Sequence, residues 1–170
     1  MKTPKNEPIL TYKRGSNERI ALDKKLHEMA DQTAHIPLCI GSEKIYNNLE
    51  KEQIMPSDHK TVLAKFTFAT AEQINHAIEI AMAAKEKWEM TPLKKRADIL
   101  LHAADLLSGK YRMAINAATM LGQGKSIVQA EIDGACELTD FFRFNAMFTL
   151  DADKYQLISP QGITNSMILR

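Results

Sequence analysis

Residues 119–146 read TMLGQGKSIVQAEIDGACELTDFFRFNA, and this stretch decides the fold. Its LGQGKS segment, residues 121–126, invites comparison with a phosphate-binding loop. A Walker A loop requires a first glycine where this chain has Thr119, and such a loop follows a strand, whereas the apolar pattern AINAATML before it is helical. We therefore predict a joint between two helices, in which Gly122 ends the first and Ser126 caps the second.

The composition is that of a folded protein with almost no net charge. Of the 170 residues, 45% are hydrophobic, 22 are Lys or Arg and 21 are Asp or Glu. This balance gives no reason to expect nucleic acid or an anionic membrane as a partner. No apolar run approaches the roughly 20 residues that span a bilayer, and the first residues lack the core of a signal peptide and show no transit peptide. A soluble chain is predicted.

Helical patterns occupy most of the chain after the first strands. A first helix is predicted over residues 16–34, with Ser16 or Asn17 as its N-cap. A second begins at Thr70, where Gln73 completes a capping box. Its apolar stripe comprises Ile74, Ala77, Ile78, Ala81, Met82 and Trp88.

A third helix is predicted to start at Thr91 and Pro92 and to stop at Ser108 and Gly109. Because the link between the second and third helices is short, the two are expected to pack antiparallel. Two more helices are predicted, over residues 111–121 and 126–148.

Strands are predicted at both ends of this helical region. IPLCIGSEKIY, residues 36–46, predicts two strands that turn at Gly41 and Ser42, and VLAKFTF, residues 62–68, predicts another. KEQIMPSDHK, residues 51–60, is interpreted as a loop between them. The last stretch, KYQLISPQGITNSMILR, predicts a strand, a turn and a second strand.

Few residues suggest chemistry by themselves. Cys39 and Cys136 are too few for a disulfide framework or a four-ligand zinc site and are predicted to be reduced, buried thiols. The histidines show no metal-ligand spacing, so no metal is predicted. Asp133, Glu137 and Asp140 share one side of the last helix, where they would either do acid–base work or form a solvated face paired with Arg143.

Residues 119–146 as a whole closely resemble the helix pair near the amino terminus of the aldehyde dehydrogenases that oxidise L-glutamate γ-semialdehyde, also called Δ1-pyrroline-5-carboxylate dehydrogenases. The resemblance rests on the GQGK joint, the QAEID start and the DFFRFNA end together. It extends to NEPILTYKRGSNER, to AKFTFAT, to AIEIAMAAKEKWEMTPLKKRADILLHAADLLSG and to the final TNSMILR. It therefore covers nearly the whole chain.

The resemblance implies an α/β aldehyde dehydrogenase-like fold of which residues 1–170 form only the amino-terminal portion. That portion is expected to be helix-rich with a few edge strands, and to lack the Rossmann-like cofactor core and the catalytic domain. Residues 1–69 would supply the first helix and strands, residues 70–148 a helical bundle, and residues 149–170 a strand hairpin.

The family's chemistry implies thiolate attack on the aldehyde, hydride transfer to NAD, and hydrolysis of the thioester to glutamate in proline catabolism. The catalytic residues and the nucleotide-binding fold are expected beyond Arg170, so this segment alone would be inactive and would bind no NAD. The complete enzyme is expected to be a homo-oligomer in the mitochondrial matrix acting on a small molecule. The alternative is a truncated, non-catalytic product that acts as a binding or interfering subunit.

One residue of the chain matches a residue that the family places near the substrate. Glu137 corresponds to the family's glutamate at the mouth of the aldehyde channel, where a carboxylate would meet the ammonium group of the substrate. A structural acid paired with a neighbour is the competing interpretation. Phe141 and Phe144 follow on the same face, either as channel wall or as core.

Overall fold

The computed structural model describes residues 3–169, in which one helix is followed by five short strands and then by a run of helices. The helices are α1 Asn17–Ala30, α2 Ala71–Glu89, α3 Leu93–Ser108, α4 Arg112–Gln123, α5 Ile127–Ala130 and α6 Glu137–Ala152, with a π-helix, Glu131–Cys136, between α5 and α6. The strands are β1 Ala34–Ile36, β2 Leu38–Ile40, β3 Glu43–Ile45, β4 Glu50–Met55 and β5 Asp58–Thr67. The predicted helix-rich arrangement with few strands is confirmed.

Helix α1 begins where the sequence predicts but ends earlier. Ser16 is the N-cap, and its side chain accepts a hydrogen bond from the backbone N–H of Arg19. The helix ends at Ala30 rather than at Ala34, because residues 34–36 form β1 and pair in parallel with β5. A backbone that bonds to a neighbouring strand cannot also continue a helix.

The hairpin of β4 and β5 corrects the interpretation of residues 51–60 as a loop. The two strands pair antiparallel around a turn at Pro56 and Ser57, and β5 lies between β1 and β4 in the sheet. The sequence of β4, EKEQIM, lacks the apolar alternation that marks a half-buried strand, and most of its residues are exposed. Pairing with β5 decides its conformation. The smaller hairpin of β2 and β3 turns at Gly41 and Ser42, as predicted.

Helices α2 and α3 do not form the predicted antiparallel pair. The capping box of Thr70 and Gln73 is present, but no residue of α2 is buried, and the helix contacts β2. Helix α3 packs on α6 instead, along a face where Ala97 and Ala104 are buried and let the two helices approach closely. Thr91 does not cap α3, because its hydroxyl donates to the carbonyl of Lys87 at the end of α2.

The hydrophobic core lies between α1, α4 and the segment before α1. Leu22 of α1 is fully buried against Tyr12 and Ala117. Several half-buried apolar side chains surround this centre: Leu10, Leu26, Met29, Met113, Met120 and Ile127. Leu22 is the one large apolar side chain among the largest fully buried residues described, so the core depends heavily on it.

The joint at residues 122–126 connects two helices, as predicted, with one shift in position. Helix α4 continues through Gly122 to Gln123, and Gly124 ends it in the left-handed conformation at φ 67°. Ser126 caps α5 through a capping box with Gln129. Glycine is needed at Gly124 because other residues adopt this backbone conformation only at a cost.

Alanine substitutions at Gly124 and Gly122 should therefore have different effects on stability. Gly124→Ala is expected to lower the free energy of unfolding by about 1–2 kcal/mol, because a Cβ atom is strained at positive φ. Gly122→Ala is the matched control: the site is helical and an added Cβ meets no atom within 4 Å, so the change should be neutral or stabilising. Urea denaturation measures both, and equal effects would contradict the assignment of the helix end.

The predicted strand pair near the end of the chain is wrong for the residues described. Helix α6 extends to Ala152, and residues 153–169 contain no strand. The chain does turn back at Pro160, but side chains replace the ladder: Gln156 exchanges hydrogen bonds with the backbone of Met167, and Ser159 does so with Asn165. These side chains occupy backbone groups that a strand ladder would have paired.

Candidate functional site

A fully buried carboxylate, Glu131, lies at the start of the π-helix. It accepts hydrogen bonds from the Leu10 backbone N–H at 2.8 Å and from the Tyr12 hydroxyl at 2.7 Å. From α4, the side-chain amide of Asn116 donates at 2.7 Å, and the guanidinium of Arg112 donates to both carboxylate oxygens. A bidentate arginine with further donors satisfies the acceptor sites of a buried carboxylate.

Arg112 extends this cluster toward the surface. Its guanidinium, itself buried, also donates to Glu7 at 2.5 Å and to the carbonyl of Pro8 at 2.7 Å. The second oxygen of Glu7 accepts from Arg143 of α6 at 2.6 Å. The segment 6–12, which we call the arm, is thus held between α4 and α6 by charges of opposite sign.

The pKa values in the cluster follow from burial and pairing. Burial alone would raise the pKa of Glu131, but the hydrogen bonds from Arg112, the Leu10 N–H, Tyr12 and Asn116 outweigh it, so the pKa lies below the ordinary value. Burial and the neighbouring Glu131 raise the pKa of Tyr12. Burial would lower the pKa of Arg112, yet Glu131 and Glu7 raise it overall. Glu131 and Arg112 are therefore both charged near neutral pH.

The π-helix packs closely on α4 through a glycine. A Cβ atom at Gly134 would lie 3.0 Å from the hydroxyl of Thr119 and 3.1 Å from a methyl group of Ile115. The missing side chain lets the two helices approach where Glu131 reaches Arg112 and Asn116.

Glu137, the predicted substrate-binding residue, is the first residue of α6 and is exposed. Within residues 3–169 its carboxylate forms no hydrogen bond or ion pair, so the competing interpretation as a paired structural acid has no support there. It opens onto a groove of about 480 Å³ along α6. The groove is lined by Asn6, Glu137, Asp140, Phe141, Phe144, Asn145 and Phe148.

The two phenylalanines that follow Glu137 both line the groove. Phe141 is 59% exposed, so the alternative prediction that this residue packs in the core is wrong. Phe144 is half-buried, with its ring centroid 6.1 Å from that of Phe148 in a tilted arrangement. The groove therefore combines one unpaired carboxylate with an aromatic floor.

The carboxylates grouped in the sequence have separate environments. Asp133 pairs with Lys125 at 2.6 Å. Asp140 accepts from the backbone N–H of Glu7 at 2.7 Å and from the Asn6 side chain at 2.8 Å. Arg143 pairs with Glu7 rather than with Asp133, Glu137 or Asp140. The predicted ion-paired face between these three acids and Arg143 is therefore wrong. Asp133 and Asp140 each fix a neighbouring segment, and only Glu137 is left open to a ligand.

The two cysteines lie in different environments. Cys136 ends the π-helix and is buried, and burial together with the charge of Glu131 raises the pKa of its thiol to about 11. Cys39 is exposed on β2, so the prediction of two buried thiols is wrong for Cys39.

Alkylation should distinguish the two thiols. At about pH 8, iodoacetamide is expected to modify Cys39 readily and to leave Cys136 unmodified, because the thiolate is the reactive form and Cys136 is both buried and protonated. Peptide mass mapping measures each site separately. Equal rates in folded protein would contradict the burial of Cys136.

Sequence reasoning missed the cluster around Glu131. Its members are Glu7, Tyr12, Arg112, Asn116 and Glu131, and the hydrogen bonds between the arm and α4 or the π-helix join residues more than 100 positions apart. One signal was available: Glu131 follows the apolar positions Ile127 and Ala130 on a helical pattern, where an acid must find a partner.

The described part of the chain shows neither a metal site nor a membrane span. Within residues 3–169, no three His, Cys, Asp or Glu side chains are grouped so that they would hold a metal ion. None of the helices in that range has both the length and the apolar character needed to cross a bilayer.

The chain is similar to known proteins in both sequence and fold. A sequence profile described as the aldehyde dehydrogenase family matches residues 46–169. The mitochondrial delta-1-pyrroline-5-carboxylate dehydrogenase of Rattus norvegicus is 46% identical over 97% of this chain and 29% of its own length, and that of Homo sapiens is 44% identical over the same shares. The crystal structure of the Mycobacterium tuberculosis delta-pyrroline-5-carboxylate dehydrogenase bound with NAD is 42% identical and superposes with a TM-score of 0.89, over 94% of this chain and 30% of that one. The chain thus spans about 30% of the length of the relatives it matches.

Proposed function

The chain belongs to the aldehyde dehydrogenase family, and we propose that it is the amino-terminal part of an enzyme that oxidises L-glutamate γ-semialdehyde to L-glutamate with NAD in proline catabolism. The observation that carries the proposal is 46% identity, across 97% of the chain, with a rat protein named delta-1-pyrroline-5-carboxylate dehydrogenase. The Mycobacterium tuberculosis relative solved with NAD bound supports the choice of cofactor. The overall reaction oxidises the aldehyde by two electrons; NAD would be the hydride acceptor, and water would supply the second carboxylate oxygen.

The described residues do not themselves fit NAD. A dinucleotide site needs a strand, a glycine-rich turn and a helix whose first amides face the pyrophosphate. In this chain β5 leads into α2 without a glycine, and the glycines of the GQGK joint follow a helix rather than a strand. We therefore expect NAD to bind to parts of the enzyme other than residues 3–169, and the 170-residue segment alone to be inactive.

The relatives also suggest where the enzyme acts. The proteins from rat, human and Dictyostelium discoideum are named mitochondrial, which supports placement in the mitochondrial matrix. A homo-oligomer is part of the same proposal. Cell fractionation and light scattering of the purified enzyme test the two statements, and a cytosolic or monomeric enzyme would contradict them.

The direct test is NAD-dependent oxidation of glutamate semialdehyde. The 170-residue chain and the protein expressed to the natural end of its reading frame are assayed side by side for NADH formation. Activity only in the longer protein is expected. Activity in the short chain would overturn the placement of NAD and the catalytic groups elsewhere, and inactivity in both would favour the non-catalytic binding or interfering subunit.

Glu137 is proposed to bind the ammonium group of the substrate. Its carboxylate is exposed, has no partner among the described residues, and opens onto the groove lined by Phe141 and Phe144. Glutamate semialdehyde carries an ammonium group and a short methylene chain, which match a carboxylate beside an aromatic surface.

Replacement of Glu137 should therefore weaken catalysis selectively. In the active enzyme, Glu137→Gln is expected to lower kcat/KM for glutamate semialdehyde by about ten- to hundredfold, because a charged hydrogen bond to the ammonium group is lost. Steady-state kinetics measure the loss. Asp133→Asn is the matched control, since Asp133 pairs with Lys125 instead of lining the groove. An equal loss in the control would argue against a ligand role.

A further inference from the structure

The π-helix ends directly before Glu137. A π-helical turn closes its hydrogen bonds from residue i to i+5 rather than to i+4, so it takes up one residue more than an α-helical turn. Every residue after it is therefore displaced by one position relative to an uninterrupted α-helix. The π-helix sets which side chains α6 presents to the groove.

The effect on the groove is large. If the same sequence formed an uninterrupted α-helix, each residue of α6 would be replaced at its position by the residue before it. Cys136 would take the place of Glu137, Asp140 that of Phe141, and Arg143 that of Phe144. A single unpaired carboxylate on an aromatic floor would become a thiol beside two charged groups of opposite sign. The present groove thus depends on the π-helical register.

Tertiary contacts hold this register. Glu131, the first residue of the π-helix, receives its N–H and O–H hydrogen bonds from the arm and from α4. From its own helix the Cys136 thiol donates to it at 3.8 Å, which is a weak hydrogen bond. Its side chain is fully buried, so water offers no replacement for these donors. Gly134 adds a close contact with α4 on the same side.

We propose that Glu131 is a positioning residue, which fixes the π-helical register and thereby places Glu137 in the groove. As far as it concerns substrate, this inference rests on the proposed function. Glu131 touches no substrate, and its effect reaches the groove only through the helix.

The register has a readout that does not require activity. When the π-helix relaxes to an α-helix, Cys136 moves from its buried position to the exposed position of Glu137. In the protein expressed from its complete reading frame, Glu131→Gln is expected to raise the alkylation rate of Cys136 by at least about tenfold relative to Cys39 in the same molecule. Glutamine keeps the shape of the side chain and removes its charge. The lost charge of Glu131 also lowers the pKa of the Cys136 thiol whatever the register, so Tyr12→Phe, which removes a donor to Glu131 and keeps that charge, must raise the rate as well. An unchanged rate in Tyr12→Phe would overturn the change of register.

Kinetics provide the second readout. In the same Glu131→Gln enzyme, KM for glutamate semialdehyde is expected to rise about tenfold, with kcat and the kinetics of pentanal nearly unchanged, because pentanal lacks the ammonium group. Tyr12→Phe removes one donor to Glu131 and should give a smaller change of the same kind. If Glu131→Gln does not fold, the alkylation rate and KM are measured in Tyr12→Phe instead.

Leu22→Ala is the control for simple loss of stability. Leu22 packs against Tyr12 in the core between α1 and α4, and its replacement leaves all the hydrogen-bond donors to Glu131 in the protein. At matched stability, equal alkylation of Cys136 in Leu22→Ala and Glu131→Gln would overturn the positioning role. A wild-type enzyme that is inactive on glutamate semialdehyde would overturn the proposed function alone, while faster alkylation of Cys136 in both Glu131→Gln and Tyr12→Phe, but not in Leu22→Ala, would still support the register.

Discussion

Glu131→Ala is expected to lower the free energy of unfolding by about 3–5 kcal/mol, which is the usual effect of breaking a buried ion pair by removing one partner. The loss is large because Arg112 stays buried, at 4% exposure, with one of its two carboxylate partners gone. Tyr12 and Asn116 each lose one hydrogen-bond acceptor as well. Urea denaturation followed by circular dichroism measures the change.

Asp133→Ala is the matched control for this substitution. Asp133 lies two residues further along the same π-helix and also forms an ion pair, with Lys125, but its side chain is 43% exposed. Pairs in water are typically worth about 0–1 kcal/mol, so the control should have little effect. Comparable losses in the two variants would show that burial does not govern the stability contribution of these acids.

The pH dependence should identify the charge of Glu131 as the cause. Because its pKa is lowered in the folded protein from an ordinary value of 4.5, its contribution is complete above that value and is lost as the pH falls through the folded pKa. The difference in stability between the wild type and Glu131→Gln should therefore shrink under acidic conditions. A difference that stays constant down to the acid transition would contradict this assignment.

Leu22→Ala is expected to lower the free energy of unfolding by about 2–5 kcal/mol. Leu22 is fully buried and sits at the centre of the cluster with Tyr12 and Ala117. The substitution removes apolar contact and leaves a cavity that helices α1 and α4 fill only in part. Thermal and urea denaturation measure the loss.

Ile20→Ala is the control for the truncation of an aliphatic side chain in the same helix. Ile20 is 60% exposed, so its loss should change stability by no more than about 0.5 kcal/mol. If the two substitutions cost the same, the core would not be centred on Leu22.

Local features of the fold were predictable because the residues that form them are close in sequence. The capping boxes at Thr70 and Ser126 each need a glutamine three residues further on, and both are present. The turn at Gly41 was also predicted, because the glycine that allows it lies within the turn itself. Family membership also followed from the sequence, because the run through residues 119–146 is specific as a whole and the aldehyde dehydrogenase profile covers it.

Two predictions failed because they depend on which elements pair or pack with each other. Strand β4 was interpreted as a loop because its polar sequence forms a strand only through pairing with β5. The apolar face of α3 was assigned to α2, whereas it packs on α6. Periodicity shows that a helix has an apolar face, but it does not show which element covers that face.

For the candidate site, the sequence alone determined that Glu137, Phe141 and Phe144 share one helical face, because an α-helix repeats every 3.6 residues. Only the tertiary structure decided that this face opens as a groove and that a π-helix sets its register. The reason is the energy of the buried carboxylate: Glu131 requires donors from Tyr12, 119 residues away, and from Arg112, 19 residues away. No local pattern encodes hydrogen bonds that form only when the arm, α4 and the π-helix meet.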